Sequence, residues 1–253
     1  MMSAMKSPWL WNRSPVLGVN DPEVTRVRIV VSLVAALALV GAVGRAPGVA
    51  DNPAPASTQP AAQGNALNNP LYKRMTQVNA GLHSYKADLH ADIALKTFPF
   101  LSPSLDGNVY FKQPDKQAVN FETVPALAAQ FKKLYPHVEP PAAWPTIYTI
   151  GVLGDDNGQT TFRLVPKKHG RVAHLDVKAD DATATIKTMT WTYEDGGFVT
   201  FDQTMFSKDG NYLIKSQTGH VELTSYKADV TIAYSNYKLN VAIADTVFTP
   251  DKQ

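Results

Sequence analysis

The chain has 253 residues, no cysteine, 44% hydrophobic residues and a formal charge of +2. That length and apolar content suffice for one large or two small packed domains, which excludes global disorder, and the missing cysteine excludes disulfides, thiolate metal sites, a cysteine nucleophile and a lipid-modified cysteine anchor. The positive charge sits at one end: taking Lys6, Arg13, Arg26, Arg28 and Arg45 from the 24 basic residues, and Asp21 and Glu23 from the 22 acidic ones, leaves 19 against 20, so no clustered basic footprint for nucleic acid remains.

Arg26 and Arg28 precede a long apolar run from Ile29 to Val43, and small residues follow up to Gly48-Val49-Ala50. A positive region, an apolar region and a small-residue cleavage site are the order of a secretory signal. The run is shorter than the roughly 20 residues a spanning helix needs. Residues 1–50 are therefore read as a signal peptide, with an uncleaved N-terminal membrane anchor as the alternative, and the protein as exported to the periplasm. Residues 51–68, rich in Pro, Ala, Gln and Asn, read as a flexible linker. The folded domain is assigned to residues 69–253.

In the domain, Leu71, Met75, Val78 and Leu82 recur at helical spacing. Next, Tyr85, Ala87, Leu89, Ala91, Ile93 and Leu95 alternate with Lys86, Asp88, His90, Asp92, Ala94 and Lys96, which predicts a strand with one face in a core and one in water. Gly107 to Lys112 and Gln117 to Glu122 form a hairpin around Pro114-Asp115. Thr123 caps a short helix with Leu127, Phe131 and Leu134 on one face, stopped by Pro136. The three prolines of the segment His137 to Pro145 argue against a helix or central strand there.

The remainder is read as strands separated by turns: Ile147–Leu153, Thr160–Val165, Arg171–Lys178, Thr185–Tyr193, Phe198–Phe206, Tyr212–Ser216, Val221–Tyr226, Val230–Tyr234 and Leu239–Phe248. About ten strands without βαβ spacing imply one antiparallel sheet, curled as a barrel or half-barrel. On one side Met189, Trp191 and Tyr193 alternate inward, and on the next strand Val199, Phe201 and Met205. That pattern suits a packed core as well as a ligand-lined cavity.

Catalytic and metal signatures are missing. None of His83, His90, His137, His169, His174 and His220 has a metalloprotease or zinc-finger spacing. There is no G-x-S-x-G, phosphate-cradling loop or dinucleotide fingerprint. Asp88, His90 and Asp92 share a strand face at a spacing that could meet one divalent cation, but a charged solvated face is the ordinary outcome of that alternation. Asp155-Asp156 and Asp180-Asp181 lie at turns, where Asp is favoured for backbone hydrogen bonding. No enzyme activity, cofactor or metal is expected.

Gly107-Asn108-Val109-Tyr110-Phe111-Lys112-Gln113-Pro114, one strand and one loop after a helix, resembles the strand-turn of the LolA/LolB-type outer-membrane lipoprotein-sorting family, in which a Gly begins the strand and a basic residue, Arg and Pro close it. Phe162-Arg163-Leu164-Val165-Pro166-Lys167 is similar to that family's strand ending in Pro-Lys. The order helix, long strand, hairpin, short helix and many strands covers roughly residues 69 to 206. The resemblance implies a mainly β fold with short helices, in which a single antiparallel sheet curls into an incomplete barrel with helices over its open concave side. It implies a periplasmic carrier or chaperone for acyl chains of a lipoprotein or lipid, expected as a monomer and served by an inner-membrane delivery complex and an outer-membrane receptor. The regulatory relatives imply an alternative: a membrane-tethered sensor or scaffold that binds a partner protein.

The implied lipid-facing residues are Leu89, Ile93, Val109, Phe111, Phe121, Leu127, Phe131, Leu134, Phe162, Leu164, Met189, Trp191, Phe201 and Met205. The implied gate is Gln113. Carriers of the family place an Arg before the Pro, tied to cargo release. A neutral amide at that position cannot hold a lid by charge-assisted hydrogen bonds, so looser lipid or acyl-chain binding is expected.

Overall fold

The computed structural model describes residues 27–30, 63–97, 99–100, 102–122 and 138–249. The helix expected at Leu127, Phe131 and Leu134, and all of the leader but Val27–Val30, lie outside the described residues. Two short helices, α1 (Gln63–Asn68) and α2 (Pro70–Met75), come before the sheet. Ala66 of α1 is fully buried, so the segment read as linker up to residue 68 ends in a helix packed on the domain. The Asn69 side chain caps α2 by accepting from the backbone N–H groups of Leu71 and Tyr72, and Pro70 opens the helix where its missing N–H costs nothing.

Ten strands follow: β2 (Ser84–Leu95), β3 (Ser104–Lys112), β4 (Lys116–Phe121), β5 (Tyr148–Asp156), β6 (Gln159–Pro166), β7 (Val172–Asp180), β8 (Ile186–Tyr193), β9 (Phe198–Lys208), β10 (Asn211–Leu223) and β11 (Tyr226–Leu239). They form one antiparallel sheet in the order β4-β3-β2-β11-β10-β9-β8-β7-β6-β5, and Val27–Val30 adds a further strand, β1, on β4. β5 and β1 stand at opposite ends of that order, so the sheet is curled but open, as an incomplete barrel. Tight hairpins drive the meander. Asn157-Gly158 and Asp209-Gly210 each place two successive residues at positive φ, 51° and 75° in the first and 50° and 75° in the second. That is the two-residue turn whose twist matches flanking strands.

The register puts one apolar set on one face. Val152 pairs with Phe162, Phe162 with Val177, Val177 with Met189, and Met189 with Phe201. Across the chain's closing pair, Leu89 stands opposite Tyr234 and Ala91 opposite Ile232. Because cross-strand partners share a face, these residues form one continuous core cluster on the concave side. The convex face carries the charges. Arg163 donates two hydrogen bonds to Asp176, each 2.7 Å, and His90 bonds Asp106 at 2.6 Å.

Three strand assignments are corrected. Tyr212–Ser216 and Val221–Tyr226 belong to a hairpin with other limits: β10 runs unbroken through Gly219 to Leu223, and β11 starts at Tyr226. The chain after Leu239 is not a strand. Asn240 turns it with φ of 52°, and Asp245–Phe248 forms a 3₁₀ turn, held to the β3–β4 hairpin by Lys112 and Lys116 on Asp245 at 2.8 and 3.0 Å. The proline-rich segment does contain helix, a 3₁₀ turn at Pro141–Ala143 and α3 (Trp144–Ile147), because its prolines occupy first-turn positions that need no N–H.

Candidate functional site: a two-chambered cavity on the concave face

Tyr72 of α2 packs on Trp144 and on Phe162, with ring centroids 6.0 and 6.1 Å apart, and its hydroxyl donates to the carbonyl of Pro141 at 2.8 Å. Phe162 belongs to the inward face of the sheet, so α2 and the Pro141–Ile147 segment lie over the concavity. At one end they fill it: Trp144, Phe162, Leu164, Leu175 and Val177 are among the largest fully buried side chains. Toward β2, β3 and β9 to β11 the filling stops.

There a cavity of about 430 Å³ opens between the turn after α2, the β3–β4 hairpin and strands β9 and β10. Its apolar walls include Met75, Val78, Leu82, Phe111, Met205 and Ile214. A second chamber of about 130 Å³ shares Tyr85, Gln117, Ile186, Gln203 and Ile214 with the first and reaches Val109, Val138, Met189, Gln217 and Tyr234. The volume of the outer chamber is within the range of small-molecule sites. Among the described residues, none that lines either chamber is charged.

Two bulges shape this region. Between Ser235 and Lys238 the β11 register slips against β2, with Asn236 at φ 53°, and this brings Tyr237 inward one position out of phase with Tyr234. The Tyr237 hydroxyl then donates to the carbonyl of Ile214 at 2.7 Å, and its ring meets Tyr85 and Phe206 at 5.5 and 5.6 Å. A matching slip between Ile214 and Ser216 pairs Ile214 with Met205. Tyr85 in turn stacks on Phe111 at 5.3 Å.

The expected lipid-facing residues divide accordingly. Phe111 and Met205 line the outer chamber, Val109 and Met189 the inner one. Leu89, Phe121, Phe162, Leu164, Trp191 and Phe201 are buried in the core cluster, and Ile93 packs half-buried against it. Leu127, Phe131 and Leu134 fall outside the described residues. Gln113 lines the outer chamber, where its backbone N–H donates to the carbonyl of His83 at 2.9 Å and its side-chain oxygen lies 3.2 Å from Nδ1 of His83.

Sequence reasoning passed over Gln203, Gln217, Tyr234, Tyr237 and Ile214. Gln203 had a signal, because it continues the inward positions of Phe201 and Met205 as a polar residue among apolar ones. Gln217 was hidden in a stretch read as a turn, and Ile214 and Tyr237 are turned inward by bulges that a strict period of two cannot show.

On the convex face, His90 Nε2 lies 3.4 Å from Asp92, but Asp88 does not join them. Asp88 accepts from Asn236 at 2.7 Å, Asp92 accepts from Ser104, and the hydrogen bond with Asp106 raises the His90 pKa above its ordinary value. Among the described residues no three His, Asp or Glu side chains are grouped to hold a metal ion.

No family model matches the sequence, and no curated protein matches it significantly. Solved structures do share the fold. A putative outer membrane lipoprotein-sorting protein domain from Vibrio parahaemolyticus superposes with a TM-score of 0.58 at 10% identity, covering 74% of this chain and 97% of that one. A DUF1329 family protein from Desulfovibrio piger gives a TM-score of 0.56 at 13% identity, covering 71% of this chain and 94% of that one. The chain therefore shares its fold, an open curled antiparallel sheet, with a putative outer membrane lipoprotein-sorting protein domain, the fold that the resemblance of its strand-turn motifs implied.

Proposed function

We propose that this protein is an exported periplasmic carrier or chaperone that takes acyl chains of a lipoprotein or lipid into the concave cavity, and that it acts by binding rather than catalysis. The main support is the outer chamber itself: a volume of about 430 Å³ beside a close-packed core, walled largely by aromatic and aliphatic side chains, with no charged residue among the described ones that line it. Such a lining matches a hydrocarbon ligand, whose transfer from water contributes about 0.8 kcal/mol per buried CH₂. The fold shared with a putative lipoprotein-sorting domain is consistent with this reading. The leader, with Arg26 and Arg28 before its apolar run, supports export, and cleavage after Ala50 would free the domain to cross the periplasm between an inner-membrane delivery complex and an outer-membrane receptor.

Native mass spectrometry of the protein purified gently from its own membrane fraction tests the reading. Co-purifying acylated peptide or lipid, together with saturable binding of a neutral fluorescent acyl probe, supports a carrier. Protein free of lipid that also fails to bind the probe overturns it.

One observation favours a second reading, a membrane-tethered sensor or scaffold that binds a partner protein. The backbone of Val27–Val30, at the start of the apolar leader, pairs with β4 from Val27 opposite Phe121 to Val30 opposite Ala118. A chain that keeps its leader keeps that strand. Intact-mass measurement separates the two: a mature N-terminus at Asp51 selects the free carrier, and an uncleaved leader selects the tethered domain.

A further inference from the structure

The inner chamber differs from the outer one in a way that hydrocarbon binding alone does not use. A chain of hydrogen bonds crosses four strands along its wall. The Tyr234 hydroxyl on β11 donates to Oε1 of Gln217 on β10 at 2.6 Å, Nε2 of Gln217 donates to Oε1 of Gln203 on β9 at 3.0 Å, and Nε2 of Gln203 donates to the carbonyl of Ile186 on β8 at 2.8 Å. Gln203, Gln217 and Tyr234 are only 9%, 7% and 8% exposed, and all four residues of the chain line the inner chamber. Two long amides therefore occupy inward positions between Phe201, Met205 and Val221, where the alternation otherwise places apolar side chains.

The capacity of this wall is greater than its own bonds consume. Each amide nitrogen carries two hydrogens and gives one within the chain, and each amide oxygen has two lone pairs and takes one donor. Gln117, paired with Phe111 on the inward face of β4, brings a third amide to the same chamber. A hydrocarbon end placed here would strip water from these groups without replacing its hydrogen bonds, which is unfavourable. An ionised end would be buried with no opposite charge among the described residues of either lining. A neutral group that both donates and accepts meets both conditions.

We infer that the inner chamber receives the neutral, hydrogen-bonding end of an acyl ligand, an amide or hydroxyl, inserted first, while the hydrocarbon lies in the outer chamber. This rests on the acyl-carrier reading and specifies the class of ligand: uncharged acyl compounds bearing an amide or hydroxyl in preference to free carboxylates, plain esters or hydrocarbons.

The test is displacement of a neutral fluorescent acyl probe from the full chain by dodecanamide, dodecanol, methyl dodecanoate and dodecanoate. The amide and the alcohol are expected to compete about tenfold better than the ester and the carboxylate. Gln217→Leu should erase that advantage. Tyr234→Phe, which keeps the ring and removes only the hydroxyl that anchors Gln217, should narrow it. If a variant fails to fold, the preference in the wild type decides alone. Equal competition by all four ligands overturns this inference and leaves the carrier intact, whereas displacement by none, with no saturable probe binding, overturns the carrier reading itself.

Discussion

The ring of Phe201 occupies the space in which a side chain on Gly219 would begin. The two residues are directly opposite on β9 and β10, and a Cβ built on Gly219 would stand 2.6 Å from Cε1 of that ring. Glycine in mid-strand is thus a packing requirement here, since it leaves room for the Phe201 ring, which stands at 86° to the Trp191 ring with centroids 6.4 Å apart. Gly219→Ala should cost about 1 to 3 kcal/mol by overpacking. Adding Phe201→Leu in the same chain should make the combined loss smaller than the sum of the two single losses, because one change relieves the other. Urea unfolding of the three variants checks this, and additive losses would refute it.

Trp144 anchors the segment that covers the sheet. It is fully buried, and its Nε1 donates to the carbonyl of Glu139 at 2.7 Å. Trp144→Ala is expected to cost about 3 to 5 kcal/mol through the cavity it leaves. Trp144→Phe should cost about 1 to 3 kcal/mol, mostly because the Glu139 carbonyl is left without its donor. Thermal or denaturant unfolding gives both values, and a Trp144→Phe protein as stable as wild type would rule out the hydrogen bond as a contributor.

His174 offers a test of the convex face. Burial pushes its pKa below the ordinary value, the positive charge of Arg163 acts in the same direction, and Asp176 and Glu194 oppose them. The unfolded chain then takes the proton more readily than the folded one. The contribution to stability is present in full above the unfolded value of about 6.5 and is lost as the pH falls below it toward the folded value. Ring NMR should show His174 titrating below His in a reference peptide. Arg163→Met removes the nearby cation and leaves Asp176 without its two 2.7 Å bonds, so the His174 midpoint should move upward in that variant. A midpoint that stays or falls would contradict the assignment of causes.

Gln113 tests access to the outer chamber. An Arg at this position would put a charge into a lining that has no acidic residue among its described members to receive it. An entering apolar chain would have to desolvate that charge or displace it. Gln113→Arg is therefore expected to weaken a neutral acyl probe by up to about tenfold, equivalent to about 1.4 kcal/mol. Gln113→Met, of similar length and uncharged, should bind as wild type does. Fluorescence titration of folded variants decides, and unchanged affinity in Gln113→Arg would remove Gln113 from the ligand's path.

The alternation of Tyr85 to Lys96 by itself determined β2, its two faces and its length to within a residue, and the Asn-Gly and Asp-Gly pairs marked two hairpins at the right places. Regular period and turn chemistry are local, so a string of residues carries them in full. The curl of the sheet was also legible, because many consecutive strands joined by short turns leave few other topologies, and that it is an open one was implied by the resemblance of Gly107–Pro114 and Phe162–Lys167 to a known family. What tertiary structure decided is where the concave face is packed and where it is hollow. Phe162, Leu164 and Trp191 look as suitable for lipid as Phe111 and Met205, but Tyr72 and Trp144 descend on Phe162 from segments distant in sequence and fill the space beside it. Tyr237 and Ile214 reach the cavity through register slips against neighbouring strands, and Gln203, Gln217 and Tyr234 become one polar wall only when three strands lie side by side. Such features depend on which strand edges meet and in what register, and pairing between strands is a property of the assembled sheet rather than of any one segment.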